Sequence, residues 1–348
     1  MSNVLSIILA AGQGTRMKSD KIKVLHHVGG RPMIQHVVNS ITDFSLSIVV
    51  VIGHQSDEVN DILDNRQLKF VEQKKQLGTG HAVIQAREYI EEHNGPVLVL
   101  YGDTPLLREE TLKRLVDVHQ EKKAACTVLT ALIDNPTGYG RIIRNQGENV
   151  SKIIEEKDAS KEEKIVNEIN SGVCCFDSNL LLEALDNIEN DNAQGEYYLT
   201  DTISYFSNKG ELVVPMIIDD NSEIIGINDR INLAKAEKVL RHRINIKHME
   251  NGVTIIDPDT TYIDSQVEIG RDTIIYPFTY LQGGTEIGKH CIIGPHSRIN
   301  NGRLGNYVNI KDHCLVLKSK LGDNSIIGPF AYIRPGCNVA AKAKVGDF

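Results

Sequence analysis

Leu9-Ala-Ala-Gly12-Gln-Gly14-Thr-Arg16-Met17 (LAAGQGTRM) decides how the first half of this chain is read. It follows the apolar run Val4-Leu5-Ser6-Ile7-Ile8, which reads as a buried strand. Its two glycines let backbone approach a ligand closely, so that several N–H groups can face one anion. The loop leaves a strand and is expected to enter a helix. Gly12-x-Gly14 is part of a dinucleotide fingerprint, but the third glycine would fall where Met17 stands. No acidic residue occupies a plausible strand end about twenty positions on to hold a ribose. Arg16, Lys18, Lys21 and Lys23 bring positive charge instead. A triphosphate needs that charge and a nicotinamide cofactor does not. By itself, GxG reads more readily as a tight turn.

The surroundings extend the pattern. Val4–Leu9, Ser47–Ile52, Val97–Tyr101 and Ala125–Leu132 read as buried strands, with helical segments at Pro32–Thr42, Ser56–Asn65, Gly80–His93 and Arg108–Glu121. Strands alternating with helices of this length mean βαβ units and a mostly parallel sheet. Aromatics are only 5% of the chain and Trp is absent, which suits the aliphatic core of such a sheet. The 348 residues allow two domains. Asp229 to about Asn251 reads as one connecting helix, stopped by Gly252.

Beyond Gly252 the period changes. An aliphatic residue followed by glycine recurs at Ile269-Gly270, Ile287-Gly288, Ile293-Gly294, Leu304-Gly305, Leu321-Gly322, Ile327-Gly328 and Val345-Gly346. The glycine spacings are 18, 6, 11, 17, 6 and 18. These multiples of six, or one short of them, mark hexapeptide repeats of a parallel β-helix, with one aliphatic side chain in six pointing inward and Gly or Asn turning the corners. The repeats run to Val345-Gly346-Asp347-Phe348 without a capping element, so the expectation is a chain cut inside its second domain.

Several stretches together carry a family likeness. LAAGQGTRM with Lys23 resembles the sugar nucleotidyltransferases, which join a nucleoside triphosphate to a sugar 1-phosphate. Their usual Leu-Pro-Lys is here Lys21-Ile22-Lys23, with the lysine in register. Gln73-Lys-Lys-Gln76-Leu-Gly78-Thr79-Gly80-His81-Ala82, Tyr101-Gly102-Asp103-Thr-Pro-Leu106, Gly138-Tyr-Gly140-Arg-Ile, Glu155-Glu-Lys-Asp158, Glu168-Ile-Asn170-Ser-Gly172 and Gly226-Ile-Asn228 follow in order. With the repeats behind the connector, they are similar to the bifunctional bacterial family that unites an N-acetylglucosamine-1-phosphate uridylyltransferase with a glucosamine-1-phosphate acetyltransferase. The likeness covers essentially the whole chain. It implies a Rossmann-like nucleotidyltransferase domain over residues 1–228, a linker helix over 229–251, and a partial left-handed parallel β-helix over 252–348.

The resemblance also implies roles. Leu9, Ala10, Ala11, Gly12 and Gly14 would contact the nucleotide, with the loop as far as Arg16 around the β- and γ-phosphates. Arg16 and Lys23 would be the catalytic cations, Lys23 near the α-phosphate. A Gln73 amide can pair with a base edge, as can backbone at Gly78 and Thr79; by resemblance the base is uracil. Asp103, at a strand end, can hold Mg²⁺, which prefers carboxylate, water and phosphate oxygens, and Asn228 would add a carbonyl oxygen. Tyr101, Gly102, Gly140, Glu155 and Asn170 would line the sugar site. Arg334, in Tyr332-Ile-Arg-Pro-Gly336, matches an arginine that binds the sugar phosphate of acetyl transfer. The rest of that site would lie beyond Phe348, so acetyl-CoA is expected only for a longer parent protein, and acetyl transfer is not expected here. The implied partners are UTP, N-acetylglucosamine 1-phosphate, UDP-N-acetylglucosamine, pyrophosphate and two further copies of the chain in a homotrimer, in peptidoglycan and cell-envelope precursor synthesis.

Taken singly, these residues have plainer readings. Asp103 could end an Asx turn, Glu155 sits in a charged run of solvated type, and Asn170 and Asn228 could cap or turn. His26, His27 and His81 have no metal spacing and read as structural. Two other proteins fit parts of the pattern: a non-catalytic scaffold subunit with a nucleotidyltransferase-like domain and hexapeptide repeats, and a sister enzyme using glucose 1-phosphate. Net charge is −8, from 38 Lys+Arg against 46 Asp+Glu, which argues against a general nucleic-acid binder. The six cysteines show neither CxxC nor zinc spacing and read as buried thiols of a reducing cytoplasm. The chain shows neither a signal peptide nor an apolar run long enough for a membrane span.

Overall fold

The computed structural model describes residues 3–53, 57–63 and 68–346. Its contacts divide the chain into two units, Met1–His26 with Pro32–Leu233 and His27–Arg31 with Ala234–Phe348.

The first unit is built on one sheet. Its strands are β1 (Val4–Ala10), β2 (Ser45–Ile52), β3 (Leu68–Glu72), β4 (Pro96–Tyr101), β5 (Cys126–Leu132), β6 (Arg141–Arg144), β7 (Val150–Ile154), β8 (Glu168–Asp177) and β9 (Val213–Ile217). The order across the sheet is β9-β5-β8-β4-β1-β2-β3, with the β6–β7 hairpin attached to β8. Neighbours are parallel except at β8, which runs antiparallel to β4 and β5. Every residue of β1 is buried, because the sheet is covered on both faces. Ile8, Val50 and Leu98 point to the side where Ile34, Val37, Leu112 and Leu115 pack. Ile7, Val49 and Val97 point to the other, against Ala82, Ile90, Leu181 and Phe206.

The helices depart from the sequence reading in ways with local causes. The loop after β1 enters a single 3₁₀ turn, Thr15–Met17, and not an α-helix. It is bracketed by left-handed residues, Gly14 (φ 63°) and Lys18 (φ 47°), which no α-helix can continue through. The segment Gly80–His93 forms two short helices, Thr79–Ile84 and Arg87–Glu91. Between them the backbone tightens to i→i+3 bonds at Gln85, Ala86 and Tyr89. Of the segment Ser56–Asn65, Asp57–Ile62 is helical, while Ser56, Asp64 and Asn65 lie outside the described residues.

A helix over Arg230–Glu250, which belongs to the second unit from Ala234 on, leads into three sheets of short parallel strands, six, five and five strong. Ile275, Ile293, Ile310 and Ile327 stack in one column and Leu281, Ile299, Val316 and Ile333 in another, one coil of 17 or 18 residues apart. From the helix, Leu240, Ile244 and Met249 join this core. The strand pairing runs through Lys344–Val345; Asp347 and Phe348 lie outside the described residues.

The repeat glycines do not turn the corners. A β-carbon on Gly288 would lie 2.4 Å from the Gly305 carbonyl oxygen, and one on Gly322 2.5 Å from the Ala341 nitrogen. They are needed because the next coil's backbone passes so close. Two corners are instead turned largely by side-chain-bearing residues in the left-handed region, among them Phe278, His290, His296, Tyr307, His313 and Phe330. Their rings stack up the corner: Phe278, His296, His313 and Phe330 follow one another at centroid spacings of 4.8, 4.8 and 4.9 Å. Five cysteines are buried, but Cys337, in the turn after Arg334, is exposed, unlike the buried thiols expected. Residues 27–31, unremarkable in sequence, pack in this unit: the Gly29 N–H donates to Glu237 at 2.7 Å and the Ser265 N–H donates to the Gly29 carbonyl at 2.9 Å.

Candidate active site

A cavity of about 460 Å³ opens in the first unit where the parallel strands end. Leu9, Ala10, Ala11 and Gly12 line it from the end of β1, and Tyr101 and Asp103 from the end of β4. Gln73, Gly78 and Thr79 enter from the segment after β3, Gly140 and Glu155 from the two ends of the β6–β7 hairpin, Asn170 from β8, and Asn228 from just before the long helix. Lys23 also lines it. Four expected site residues do not: Gly14, Arg16, Gly102 and Arg334.

Gly14 serves the lysine. A β-carbon there would lie 2.6 Å from the Lys23 Cβ, so the loop can cross that side chain only as glycine. Gly102 is packed against Val24 and Ala10. Arg16 is exposed on the 3₁₀ turn, and Arg334 is exposed in the second unit.

At one end of the cavity the Lys23 Nζ lies 2.5 Å from Asp103 Oδ2 and 3.2 Å from Asn228 Oδ1. Asp103 reaches this point from the strand-end turn, and the Ile227 N–H donates to the Asp103 carbonyl at 2.9 Å, which draws Asn228 beside it. Two oxygens from segments far apart in sequence thus converge on one cation. The lysine ammonium occupies this point, and a carboxylate with an amide oxygen is a donor set of the kind a hard cation takes together with phosphates and water. The residues fit Mg²⁺. Among the described residues no group of three or more His, Cys, Asp and Glu forms an alternative metal site.

At another end lies Gln73, whose amide nitrogen donates to the Gly78 carbonyl and to His81 Nδ1, each at 3.0 Å. With Nε2 committed, Oε1 is the group Gln73 can offer a ligand. Burial lowers the His81 pKa, favouring the neutral ring that accepts this bond. His81 therefore orients Gln73, a role its lack of metal spacing could not reveal.

The remaining wall is polar. The register of β8 against β5 breaks between Asn170 and Cys174, and the bulge turns Asn170, Ser171 and Gly172 to the cavity. Asn170 Oδ1 accepts from the Gly172 N–H at 2.9 Å, which leaves its amide nitrogen as a donor. Glu155 is held by the Thr200 hydroxyl at 3.1 Å, and burial raises its pKa. Burial, then the charges of Glu155 and Asp158, push nearby Asp201 up to about 6. Tyr101 is half-buried and desolvation raises its pKa, and Gly172 is obligatory beneath it, since a β-carbon there would lie 2.5 Å from the ring. Gln76, Tyr139, Ser171 and Gly172 also line the cavity; they stand in stretches that carry the family likeness but were given no role there, and Glu196, which stands in none of them, joins them through the fold.

A glycine loop at a strand end, two oxygens converging on a lysine and a polar cavity wall on a mostly parallel sheet, followed by hexapeptide coils, are the architecture of a nucleotidyltransferase joined to a hexapeptide-repeat unit. Known proteins agree. Residues 6–169 match the MobA-like NTP transferase domain, and residues 266–301 match the bacterial transferase hexapeptide of six repeats. The chain is 48% identical over 349 residues to the bifunctional protein GlmU of Acetivibrio thermocellus, covering 100% of this chain and 75% of the relative. It is 52% identical over 336 residues to that of Caldanaerobacter subterraneus subsp. tengcongensis, covering 96% and 73%. A solved UDP-glucose pyrophosphorylase complexed with UDP-glucose superposes with a TM-score of 0.57 at 17% identity, over 70% of this chain and 100% of that one, a likeness of fold. The chain belongs to the family of the bifunctional protein GlmU. That family unites N-acetylglucosamine-1-phosphate uridylyl transfer with glucosamine-1-phosphate acetyl transfer, and the relatives favour neither the scaffold nor the glucose 1-phosphate reading. No helix among the described residues is long and apolar enough to cross a membrane.

Proposed function

We propose that the first unit transfers a uridylyl group from UTP to N-acetylglucosamine 1-phosphate, giving UDP-N-acetylglucosamine and pyrophosphate, with the site residues acting as follows. The observation that carries this reading is the convergence of Lys23, Asp103 and Asn228 in one cavity with Gln73, Glu155 and Asn170. The committed nitrogen of Gln73 leaves Oε1 to accept from the imide N–H of uracil, which cytosine lacks. Backbone at Leu9–Gly12 and Gly78–Thr79 borders the nucleotide. The Asn170 amide, Glu155, Tyr101 and the Gly140 backbone receive the sugar.

The sugar phosphate oxygen is already an anion at neutral pH and needs no general base. It forms a bond to the α-phosphorus in line as the bond to the bridging oxygen of pyrophosphate breaks. The protein's task is alignment and charge neutralisation. Lys23 neutralises charge at the α-phosphate, with Arg16 drawn in from its exposed turn onto the outer phosphates. Asp103 and Asn228 would hold Mg²⁺, which supplies further neutralisation of the phosphate oxygens when bound.

Residues 1–228 form the uridylyltransferase domain in this reading, residues 229–251 the linker, and residues 252–348 hexapeptide coils that associate as a homotrimer in the cytoplasm. Arg334 belongs to the sugar phosphate site of acetyl transfer. The test mixes the protein with Mg²⁺, UTP or CTP, and a panel of sugar 1-phosphates, and follows pyrophosphate release. UTP with N-acetylglucosamine 1-phosphate should give the highest kcat/KM, and Lys23→Ala and Asp103→Ala should each lower it at least a hundredfold. Equal turnover of UTP and CTP would remove the Gln73 assignment, and unaffected variants would remove the catalytic one.

A further inference from the structure

A second cavity, about 290 Å³, lies next to the first and is lined by Gln13, Ser19, Lys21, Ile52, Gly53 and Val59, among others. Ala10, Ala11, Gly12 and Gln76 line both cavities, so these four form the wall between them. Three contribute mostly backbone. The fourth, Gln76, reaches across from the segment between Glu72 and Thr79 and donates its Nε2 to the Ala11 carbonyl at 2.5 Å. Gly53 stands beside this contact: a β-carbon there would lie 2.9 Å from the Ala11 oxygen and 3.4 Å from Gln76 Nε2. A glycine that leaves room and an amide that donates thus meet at one carbonyl.

We infer that Gln76 is a positioning residue for the nucleotide: it pins the Ala11 carbonyl and so sets the peptide that opens the phosphate loop. A trans peptide places C=O and the following N–H on opposite sides. With the Ala11 carbonyl turned to Gln76, the Gly12 N–H is turned away from it, in the one orientation the tie permits. Gly12 has no atom within 4 Å of its would-be side chain and cannot hold this orientation by packing. Without the amide, the loop is released on its open side and the wall between the cavities thins where Ala10–Gly12 borders the nucleotide. The sugar end, built from Glu155, Asn170 and Tyr101, shares no bond with Gln76. The inference rests on the reading of the pocket as a UTP site and adds to it a residue that acts on the nucleotide alone.

Two substitutions test it, one at the donor and one beside the acceptor. Gln76→Met keeps the length and removes the donor; Gly53→Ala keeps the donor and crowds the acceptor. UTP affinity is measured by calorimetry, the two KM values and kcat by pyrophosphate release, and folding by melting temperature. Both variants should weaken UTP binding and raise the UTP KM about tenfold, the worth of one well-made hydrogen bond. The KM for N-acetylglucosamine 1-phosphate should stay within about twofold and the melting temperature within a few degrees. Gln76→Lys, which restores a donor on a long side chain, should recover part of the loss. UTP affinity within twofold of wild type in Gln76→Met overturns the inference. So does a parallel rise in both KM values with a lowered melting temperature, which is the mark of a merely structural residue. A wild type that binds UTP without transferring uridylyl to any sugar phosphate breaks the reading of the reaction but still tests Gln76 through calorimetry. A wild type that binds no UTP defeats both.

Discussion

In the second unit, Ile275, Ile293, Ile310 and Ile327 do the same job at the same place in successive coils. In the first unit, Lys23, Gln73, Asp103, Glu155, Asn170 and Asn228 differ in chemistry, and each reaches the cavity from a different segment. The difference lies in where the determinants sit. A coil is defined by neighbours one repeat away, so its energetics are close to a sum over adjacent layers. A pocket residue is defined by ties made nowhere else in the chain, such as the Ile227 N–H on the Asp103 carbonyl. Substitutions in the pocket should therefore cost chemistry, and substitutions in the columns should cost stability.

The sharpest separation is expected at Asp103. Replacing it by Asn keeps the shape and removes the charge that Lys23 pairs with. Pyrophosphate release should fall by 10²–10³, on the order of 3–4 kcal/mol in the barrier. The melting temperature should move by only a few degrees. If stability falls as far as rate does, pocket and scaffold are not separable here. The mirror experiment is Ile293→Ala, which removes a fully buried side chain from the middle of a column. It should cost about 3 kcal/mol in the unfolding of the second unit, while kcat/KM for uridylyl transfer stays within about twofold.

Legibility in the sequence follows the same division. The columns could be read because one residue in six repeats its character. β1, β2, β4 and β5 could be read because strands buried on both faces are continuous aliphatic runs. β8 could not: Glu168-Ile-Asn-Ser-Gly172 looks like loop, and its antiparallel course depends on pairing with β5 and β4. Gly14 was legible as a special backbone position, but its crowding by Lys23 was not, because only the folded loop brings the two together. Gln76 stood inside a segment with a family likeness, yet its tie to Ala11 spans 65 positions and leaves no local trace. The repeat glycines were read as corners for the same reason, since close stacking and tight turning both demand glycine and only the next coil tells them apart.

Histidines give a smaller test of the comparison. His119 in the first unit is buried beside Thr127, and burial lowers its pKa to about 4, against a weaker opposing pull from Asp177. The folded state therefore favours the neutral ring. Stability from this group is full above pH 6.5, falls as pH drops below 6.5, and is lost by about pH 4. At most about 3 kcal/mol is involved, from the shift between the two states. Denaturant midpoints at pH 7 and pH 4.5 should differ more in the wild type than in His119→Gln. Equal differences would mean that the acid sensitivity of the first unit arises elsewhere.

His296 and His313 are the exposed counterparts, stacked at 4.8 Å between Phe278 and Phe330. Each contributes two opposed effects. The ring stack is worth about 1 kcal/mol at most, while a left-handed backbone, φ 56° and 59°, costs any residue with a β-carbon about 1 kcal/mol or more. His313→Ala removes the stack and keeps the strain, so it should destabilise the second unit by about 1 kcal/mol. His313→Gly removes both and should be nearly neutral. A double-mutant cycle of His296→Ala with His313→Ala isolates the ring–ring contribution, expected at about 0.5–1 kcal/mol. Since exposed rings at a corner touch only the coils above and below, no variant in this set should change the UTP KM. A coupling of zero would leave the left-handed corner to backbone pairing alone, with the rings as passengers on it.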